Sequence, residues 1–237
     1  MQSISENLPN LDEFDIIVEP YCGSFALSRY LLSVYPDKKY ICNDNDEMLI
    51  QTFHDLQDDE KFEDLYKFYE NFETKDKKDY DNFKKEKSTR SFLYMHTVYR
   101  IRPGLYNVSK TKFNEKDLKR LKYFHDNYKN IIFTCEDASV CINKYIDDKK
   151  CFIFMDPPFL LCSSFYSASS SKNLEYFFKI LMKIHEYETK LLCVCGDNFL
   201  LLPFYEKYNI HIKFETKISY RGHTSNAHKN IYVSNYW

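Results

Sequence analysis

The sequence predicts an α/β protein with a mostly parallel, doubly wound sheet that ends in an antiparallel hairpin. Short runs that are apolar throughout recur along the chain, which is typical of strands buried on both faces. Helix-forming stretches separate these runs, as a parallel sheet requires. Near the carboxyl terminus two strand-like runs, 210–218 and 230–236, are joined by a polar loop and predict an antiparallel pair at the sheet edge.

The remaining elements follow in chain order from the same patterns. Five apolar runs predict the parallel strands: 15–18, 39–42, 130–135, 151–155 and 190–195. Four stretches predict helices between the strands: 24–34, 138–145, 173–187 and 200–208. Strand and helix therefore alternate, except between the second and third strands.

The stretch 55–128 interrupts this alternation. It is charged, rich in helix formers and contains no run that predicts a buried strand. We expect an inserted helical subdomain at 55–128, within a domain formed by 1–54 and 129–237. Its most polar part, 75–87, is expected to be an exposed loop or helix.

The composition excludes several classes of protein. No apolar run approaches the ~18 residues that a membrane span needs, and residues 1–15 are polar and acidic, unlike a secretory signal. None of the eight cysteines shows the paired spacing of a zinc site. We interpret them, Cys135 included, as buried thiols of a protein in an intracellular, reducing compartment, the cytoplasm or the nucleus. We expect no metal site and no membrane contact.

One stretch has a strong local charge although the net charge is −2. Between positions 90 and 129 ten Lys or Arg residues stand against three acidic residues, a local balance of +7. Aromatic residues interleave these charges: Tyr94, Tyr99, Tyr106, Phe113, Tyr123 and Tyr128. This combination predicts a surface that binds a polyanion. For 115–129 alone, a solvated helix face is an equally good interpretation.

Glycine or acidic residues follow the predicted strands at the edge where open α/β sheets bind ligands. Gly23 begins the turn after the first strand, where a glycine lets a cofactor approach the backbone. Asp44 ends the second strand and is placed to bind a ribose diol. Together with Glu19 and Asp156, this spacing indicates a cofactor that contains adenosine.

The segment Asp156-Pro157-Pro158-Phe159 follows the fourth strand. Its two prolines fix the backbone and lack amide donors, so that carbonyl acceptors remain beside a carboxylate and an aromatic ring. Such a loop suits an amine whose ring stacks on Phe159. A rigid turn with Phe159 in the core is the alternative.

These motifs resemble those of the Dam-like DNA adenine methyltransferases. Residues 18–23 are similar to that family's E-P-F-x-G cofactor loop, 43–46 to its D-I-N strand end, 133–137 to its third cofactor segment and 156–159 to its D-P-P-[YF] catalytic loop. The resemblance implies a Rossmann-like methyltransferase fold, S-adenosyl-L-methionine as the cofactor, and methylation of the 6-amino group of adenine. It assigns cofactor binding to Glu19, Pro20, Tyr21, Gly23, Asp44 and Asp137, and catalysis to Asp156, Pro157, Pro158 and Phe159.

The resemblance also implies a nucleic-acid partner. Segment 100–108 is loosely similar to the family's recognition segment, so Arg100, Arg102 and Tyr106 are expected to bind the substrate and 55–128 to be the target-recognition subdomain. Tyr166, in the loop after the catalytic motif, is expected to close over a flipped base. DNA is the favoured substrate. Two alternatives stay open: an RNA methyltransferase acting on a single-stranded or cap-adjacent adenosine, and a non-catalytic binding or scaffold protein of the same fold.

Two departures from the family pattern affect the cofactor site. Phe25 stands where the family has its second loop glycine, close to the expected methionine end of the cofactor. Nothing before Glu19 resembles the family's opening K-W-x-G-G-K segment, and one interpretation is that a protein partner supplies it.

Overall fold

The structure is a computed structural model that describes residues 2–74, 76–98, 112–157, 170–196, 201–221 and 224–237. The chain divides into two compact units, Met1–Asn45 with Glu136–Trp237, and Asp46–Cys135. The expected division into 1–54 with 129–237 and 55–128 stays a prediction.

Within the described residues the strands follow the predicted order. They are β1 (Ile16–Glu19), β2 (Lys39–Asn43), β3 (Ile132–Thr134), β4 (Cys151–Met155), β5 (Lys190–Gly196), β6 (Ile212–Arg221) and β7 (Thr224–Ser234). The boundaries of β4 match the prediction, while β7 begins six residues earlier than expected.

Helices connect these strands. They are α1 (Gln2–Ser5), α2 (Ala26–Leu32), α3 (Glu47–Gln57), α4 (Asp59–Asn71), α5 (Lys77–Lys85), α6 (Thr89–Val98), α7 (Glu115–Asn127), α8 (Ala138–Asn143), α9 (Ser170–Met182) and α10 (Leu202–Lys207), with short 3-10 turns at Leu11–Glu13 and Ile184–Glu186. The long predicted helix at 173–187 is thus a helix followed by a turn.

The first unit is built on a mixed sheet. Its strands lie in the order β2-β1-β4-β5-β7-β6. The first four are parallel, and β7 and β6 form the antiparallel pair at the edge. Val18 lies opposite Ile41 on one side and Ile153 on the other, so these three strands end at nearly the same level. The predicted α/β fold class is confirmed.

Burial explains why β4 could be located from sequence. All five of its residues are buried, because β1 and β5 flank it and helices cover the sheet. Its side chains Ile153 and Met155 share one hydrophobic cluster with residues of α8, α9, β5 and β7. This rigid centre fixes the position of the chain that leaves β4 at Asp156.

The second unit is helical, with α3 to α7 and the short strand β3. Aromatic rings form much of its interior: Tyr69 stacks on Phe113 at 4.0 Å between centroids, and Tyr94 meets Phe83 edge-on at 5.4 Å. The expectation that Tyr94, Phe113 and Tyr128 belong to a polyanion-binding surface is therefore wrong, because all three are buried. Tyr123 is exposed.

Segment 75–87 is a helix rather than a loop over most of its length. Asp76 caps α5 by accepting a hydrogen bond from the Asp79 amide at 2.9 Å. Tyr80 and Phe83, three residues apart on one face, are buried, whereas the charged residues at 76–79 and 84–87 are exposed. The polar composition of this segment concealed a narrow apolar face.

Acidic neighbours accompany most basic residues of α7. Lys119 pairs with Glu115 at 2.5 Å, Arg120 with Asp117 at 3.4 Å, and Lys122 with Asp126 at 3.3 Å. These contacts, three or four residues apart, are typical of a solvated helix face. For 115–129 the structure therefore favours the solvated-face interpretation.

The cysteines of the described residues are mostly buried, as their apolar surroundings in the sequence predicted. Six of the seven described cysteines are buried free thiols, but Cys135 is exposed, so its predicted burial is wrong. It follows β3 at the end of a short strand, where an apolar run gives little information about exposure. Among the described residues, no helix is long and apolar enough to cross a membrane.

Candidate active site

The candidate site lies at the carboxyl edge of the parallel strands of the first unit. From β1 the chain passes to β2 on one side, whereas β4 pairs with β1 on the other side. The strand order therefore reverses between β1 and β4, and ligands of open α/β sheets bind at such a point. Neighbouring strands are ~4.8 Å apart, so the loops that leave β1, β2 and β4 lie side by side.

The loop after β1 adopts an unusual backbone. Gly23 has φ +46° and Phe25 has φ +42°, both in the left-handed region. The Gly23 amide donates to Asp44 Oδ2 at 2.9 Å, which fastens the loop to the end of β2. Among the described residues, apart from Gly23 and its two chain neighbours, no heavy atom lies within 4 Å of the position that a Cβ at Gly23 would occupy. The loop therefore presents open space at its glycine.

Phe25 does not occupy that space. Its side chain is 3% exposed, and its residue is the N-cap of α2. Its amide donates to the carbonyl of Cys22 at 2.6 Å, which closes a tight turn before the helix. The phenyl ring that replaces the family's second loop glycine is therefore buried and does not point into the open space at Gly23.

Glu19 ends β1 and is almost fully buried, with 3% exposure. Its Oε1 accepts a hydrogen bond from the backbone amide of Ser28, in the first turn of α2. Burial raises the pKa of Glu19 from 4.5 to about 7, the charge of Asp156 adds to this rise, and the Ser28 hydrogen bonds and the Arg29 guanidinium oppose it. The contacts of Glu19 anchor the helix that follows the cofactor loop.

Asn43, which the motif analysis did not single out as a functional residue, is fully buried at the end of β2. Its Nδ2 donates to the carbonyls of Pro20 and Glu136, both at 3.0 Å, and its Oδ1 accepts from the Glu136 amide at 3.1 Å. Its own carbonyl accepts from the Cys22 amide at 2.8 Å. One side chain thus joins the ends of segments that are 23 and 93 residues away in sequence.

Asp137 and Tyr21 lie near the same edge. Asp137 caps α8, and its Oδ1 accepts from the Ser139 amide at 2.8 Å and hydroxyl at 2.5 Å. Tyr21 is half-buried against the cluster that includes β4 and β5. Burial raises the pKa of the Tyr21 phenol above its usual range, and the charges of Cys193 and Asp137 add to this rise.

Asp156 and Pro157 leave β4 at the point of strand reversal. The Asp156 side chain is exposed, whereas Pro157 is buried. Because β4 pairs with β1 in parallel, the ends of these two strands lie side by side. An exposed carboxylate held by a buried strand and a buried proline can accept a hydrogen bond from a ligand with little reorganisation.

The other predicted site residues lie outside the described part of the chain. They are Pro158, Phe159, Arg100, Arg102, Tyr106 and Tyr166. Of the predicted cofactor residues, the structure brings Glu19, Pro20, Gly23 and Asp44 together at the edge formed by β1 and β2. Within the described residues no group of three or more His, Cys, Asp or Glu side chains could hold a metal ion.

Comparison with known proteins identifies the family. The family described as D12 class N6 adenine-specific DNA methyltransferase matches residues 1–218. The chain belongs to this family. This match confirms the resemblance to DNA adenine methyltransferases that the motifs at the strand ends predicted.

A curated relative of this D12-class chain has a low sequence identity to it. The type II methyltransferase M.MjaIII of Methanocaldococcus jannaschii is 28% identical over 192 residues, a match that covers 67% of this chain and 64% of that protein. The chain thus spans less than two thirds of the length of that relative.

Solved structures show weaker likenesses. The precorrin-6y C5,15-methyltransferase from Geobacter metallireducens GS-15 is 9% identical with a TM-score of 0.42, covering 94% of this chain and 82% of that chain. The N-terminal domain of human METTL16 in complex with SAH is 10% identical with a TM-score of 0.41, covering 99% of this chain and 66% of that chain.

Proposed function

We propose that this chain transfers a methyl group from S-adenosyl-L-methionine to the exocyclic 6-amino group of adenine in DNA. The observation that carries the proposal is the place of Asp156 and Pro157. They leave a buried strand at the point where the strand order reverses, in a chain that belongs to the D12 class.

The loop after β1 fits the cofactor. The open space at Gly23 gives a ligand access to the backbone, which a side chain at this position would reduce. Asp44 is half-buried beside this space, and its bond to the Gly23 amide orients the carboxylate towards the loop. We assign Gly23 and Asp44 to the methionine and ribose parts of the cofactor, and Asp137 with Tyr21 to the rim of its adenine.

The catalytic side of the site acts on a poor nucleophile. The lone pair of the adenine amine is delocalised into the ring, so the amine needs acceptors for its two protons. The Asp156 carboxylate and the Pro157 carbonyl would accept hydrogen bonds from the two N–H groups and favour a pyramidal nitrogen. When bound, the cofactor would supply an electrophilic methyl group and leave as the neutral thioether S-adenosyl-L-homocysteine, and the proton lost from the methylated nitrogen would pass through the Asp156 carboxylate to water. Orientation and electrostatic fit supply most of the rate.

The substrate side of the proposal extends to residues that the structure leaves undescribed. Phe159 would stack on the base, Tyr166 would cover it, and Arg100, Arg102 and Tyr106 would bind DNA. We infer that the helical insertion recognises the target, because its sequence contains the basic segment around Arg100 and Arg102.

The proposal is tested by transfer of a tritium-labelled methyl group from S-adenosyl-L-methionine. Long duplex DNA without prior methylation, its denatured strands and RNA of the same sequence are compared as substrates, and the product is digested to nucleosides. We expect label in duplex DNA, as N6-methyldeoxyadenosine. If only the RNA is labelled, the substrate is RNA and the proposal that it is DNA is wrong. Absence of label in every nucleic acid would overturn the proposed activity.

Substitution of Asp156 tests the catalytic assignment. Asp156→Asn removes the carboxylate that would accept a hydrogen bond from the adenine amine, so we expect turnover to fall by about 100-fold or more. Because the side chain is exposed, we expect the free energy of unfolding to change by no more than about 0.5 kcal/mol. Asp148→Ala is a matched control at the opposite end of β4, where Asp148 Oδ1 accepts from the Lys150 amide at 2.8 Å. The control should lose some stability and keep its turnover. Near-normal turnover in Asp156→Asn would remove Asp156 from the chemistry.

A further inference from the structure

We propose that Asn43 is a positioning residue that holds the cofactor loop in its binding conformation. The proposal rests on the proposed function, because it concerns how the same site is organised. It also makes a prediction about the chain without any ligand, so that the two can fail separately.

The contacts of Asn43 connect the separate loops of the site. Its amide nitrogen bonds the carbonyls of Pro20, in the loop after β1, and Glu136, which precedes α8. Its amide oxygen bonds the Glu136 amide, so the side chain and the Glu136 backbone form a reciprocal pair. Pro20 lies three residues before Gly23 and Glu136 directly before Asp137, the two residues assigned to opposite parts of the cofactor.

The neighbouring residue extends this arrangement. Asp44 accepts from the Gly23 amide, and the Asn43 carbonyl accepts from the Cys22 amide. Three residues of the cofactor loop, Pro20, Cys22 and Gly23, are thus bonded to two residues at the end of β2. Because Gly23 has a left-handed backbone, the loop needs such contacts to keep one conformation before a ligand binds.

Asparagine suits this position because it offers donors and an acceptor in one plane. Its Nδ2 faces two carbonyls, and its Oδ1 faces one amide. Aspartate would place an oxygen against both carbonyls, and alanine would remove the side-chain partner of three backbone groups, of which the Pro20 carbonyl is buried. The expected consequence is a looser cofactor loop in either variant.

The same chain contains a matched control at the amino edge of the sheet. Asn235 Oδ1 accepts from the Leu191 amide at 2.9 Å, and its Nδ2 donates to the carbonyls of Thr189 at 2.8 Å and Tyr187 at 3.4 Å. Asn235→Ala therefore removes the same kinds of bond as Asn43→Ala. Only Asn43 lies at the edge that carries the site.

The first experiment measures binding of S-adenosyl-L-methionine by calorimetric titration and the kinetic constants for methyl transfer. We expect Asn43→Ala to raise the dissociation constant by about tenfold and to raise KM for the cofactor more than KM for DNA. Asn235→Ala should leave both unchanged at a comparable loss of melting temperature. Asn43→Ser, which keeps a hydroxyl donor, should lie between wild type and Asn43→Ala.

The second experiment uses the chain without ligand. Amide hydrogen exchange should accelerate at Glu136 in Asn43→Ala and at Leu191 in Asn235→Ala, because each amide loses its side-chain acceptor. If Asn43→Ala does not fold, the same reasoning applies to wild type: its Glu136 amide should be protected, and addition of S-adenosyl-L-methionine should slow its exchange further while Leu191 is unaffected.

The outcomes separate the two proposals. Wild-type affinity in Asn43→Ala and Asn43→Ser, or equal losses of affinity in the Asn43 and Asn235 variants, would overturn the positioning role. Fast exchange of Glu136 in the wild-type chain would overturn it as well. A wild-type chain that protects Glu136 but binds no S-adenosyl-L-methionine would overturn the proposed function, and with it the role of Asn43 towards a cofactor.

Discussion

Replacement of the buried Glu19 by glutamine should change how stability depends on pH. The pKa of Glu19 is raised from 4.5 to about 7, chiefly by burial. The folded chain therefore holds a proton that the unfolded chain releases, and stability falls as pH rises between these two values. A shift of this size corresponds to about 3 kcal/mol, of which about 2.5 kcal/mol falls between pH 5 and 8.

Glu19→Gln removes this proton exchange and keeps the shape of the side chain. The glutamine Oε1 can still accept from the Ser28 amide, so α2 keeps its anchor. We expect the variant to gain about 2.5 kcal/mol relative to wild type between pH 5 and 8. Above pH 8 the difference should become constant, because Glu19 is then ionised in both the folded and the unfolded chain.

The assay is urea unfolding followed by circular dichroism at pH 5, 6, 7 and 8, without cofactor. The difference between variant and wild type isolates Glu19, because the other titrating groups are common to both. Glu188→Gln is the control, since Glu188 is exposed and pairs with Lys149 at 2.9 Å. This control should differ from wild type by less than about 1 kcal/mol at every pH. A constant difference between Glu19→Gln and wild type would refute the protonation of buried Glu19.

Two further predictions concern the cofactor loop and the exposed thiol. Gly23→Ala should lower the free energy of unfolding by about 1–2 kcal/mol, because residue 23 has a left-handed backbone. It should weaken S-adenosyl-L-methionine binding well beyond that loss, because the added methyl group points into the open space proposed for the cofactor. Equal affinity of variant and wild type in a titration would place the cofactor elsewhere. Of the seven described cysteines, Cys135 should react first with iodoacetamide in the folded protein, as peptide mapping would show, and earlier labelling of a buried one such as Cys151 would contradict this order.

The strands could be predicted where burial leaves a continuous apolar run. Residues 151–155 are buried on both faces, and their boundaries were predicted correctly. The prediction started β7 at 230, whereas the strand begins at Thr224. The first part of the strand, TSNAHKN, was missed because it is polar and pairs with the edge strand β6. A polar strand in an edge hairpin carries no burial signal.

Helix α3 begins with a local sequence pattern that predicts a helix, although the sequence analysis did not assign one there. Asp46 accepts from the amides of Met48 and Leu49, and Ile50, Phe53 and Leu56 are buried at a spacing of three. An N-cap followed by this spacing predicts a helix. Asp46 also ends the segment 43–46 that resembles a cofactor motif, and its place in the structure is the N-cap of α3.

The site could be predicted only as far as local motifs reach. Asp44 and Gly23 were each recognisable from their strand ends, but the bond between them depends on the pairing of β1 with β2. Asn43 was not recognisable as functional, since its partners Pro20 and Glu136 are distant in sequence. Such contacts are decided by tertiary structure, and one sequence contains no local signal for them.

The two acidic residues before proline illustrate what burial adds to a motif. Glu19-Pro20 and Asp156-Pro157 both lie at the carboxyl end of an apolar parallel strand, so the two dipeptides look alike in sequence. In the structure Glu19 is buried against the amide of Ser28, while Asp156 is exposed. A buried carboxylate with a backbone partner cannot reach the amine of a base, whereas an exposed one can. Burial therefore separates an anchoring acid from a candidate catalytic acid, although adjacent strands carry both to the same edge.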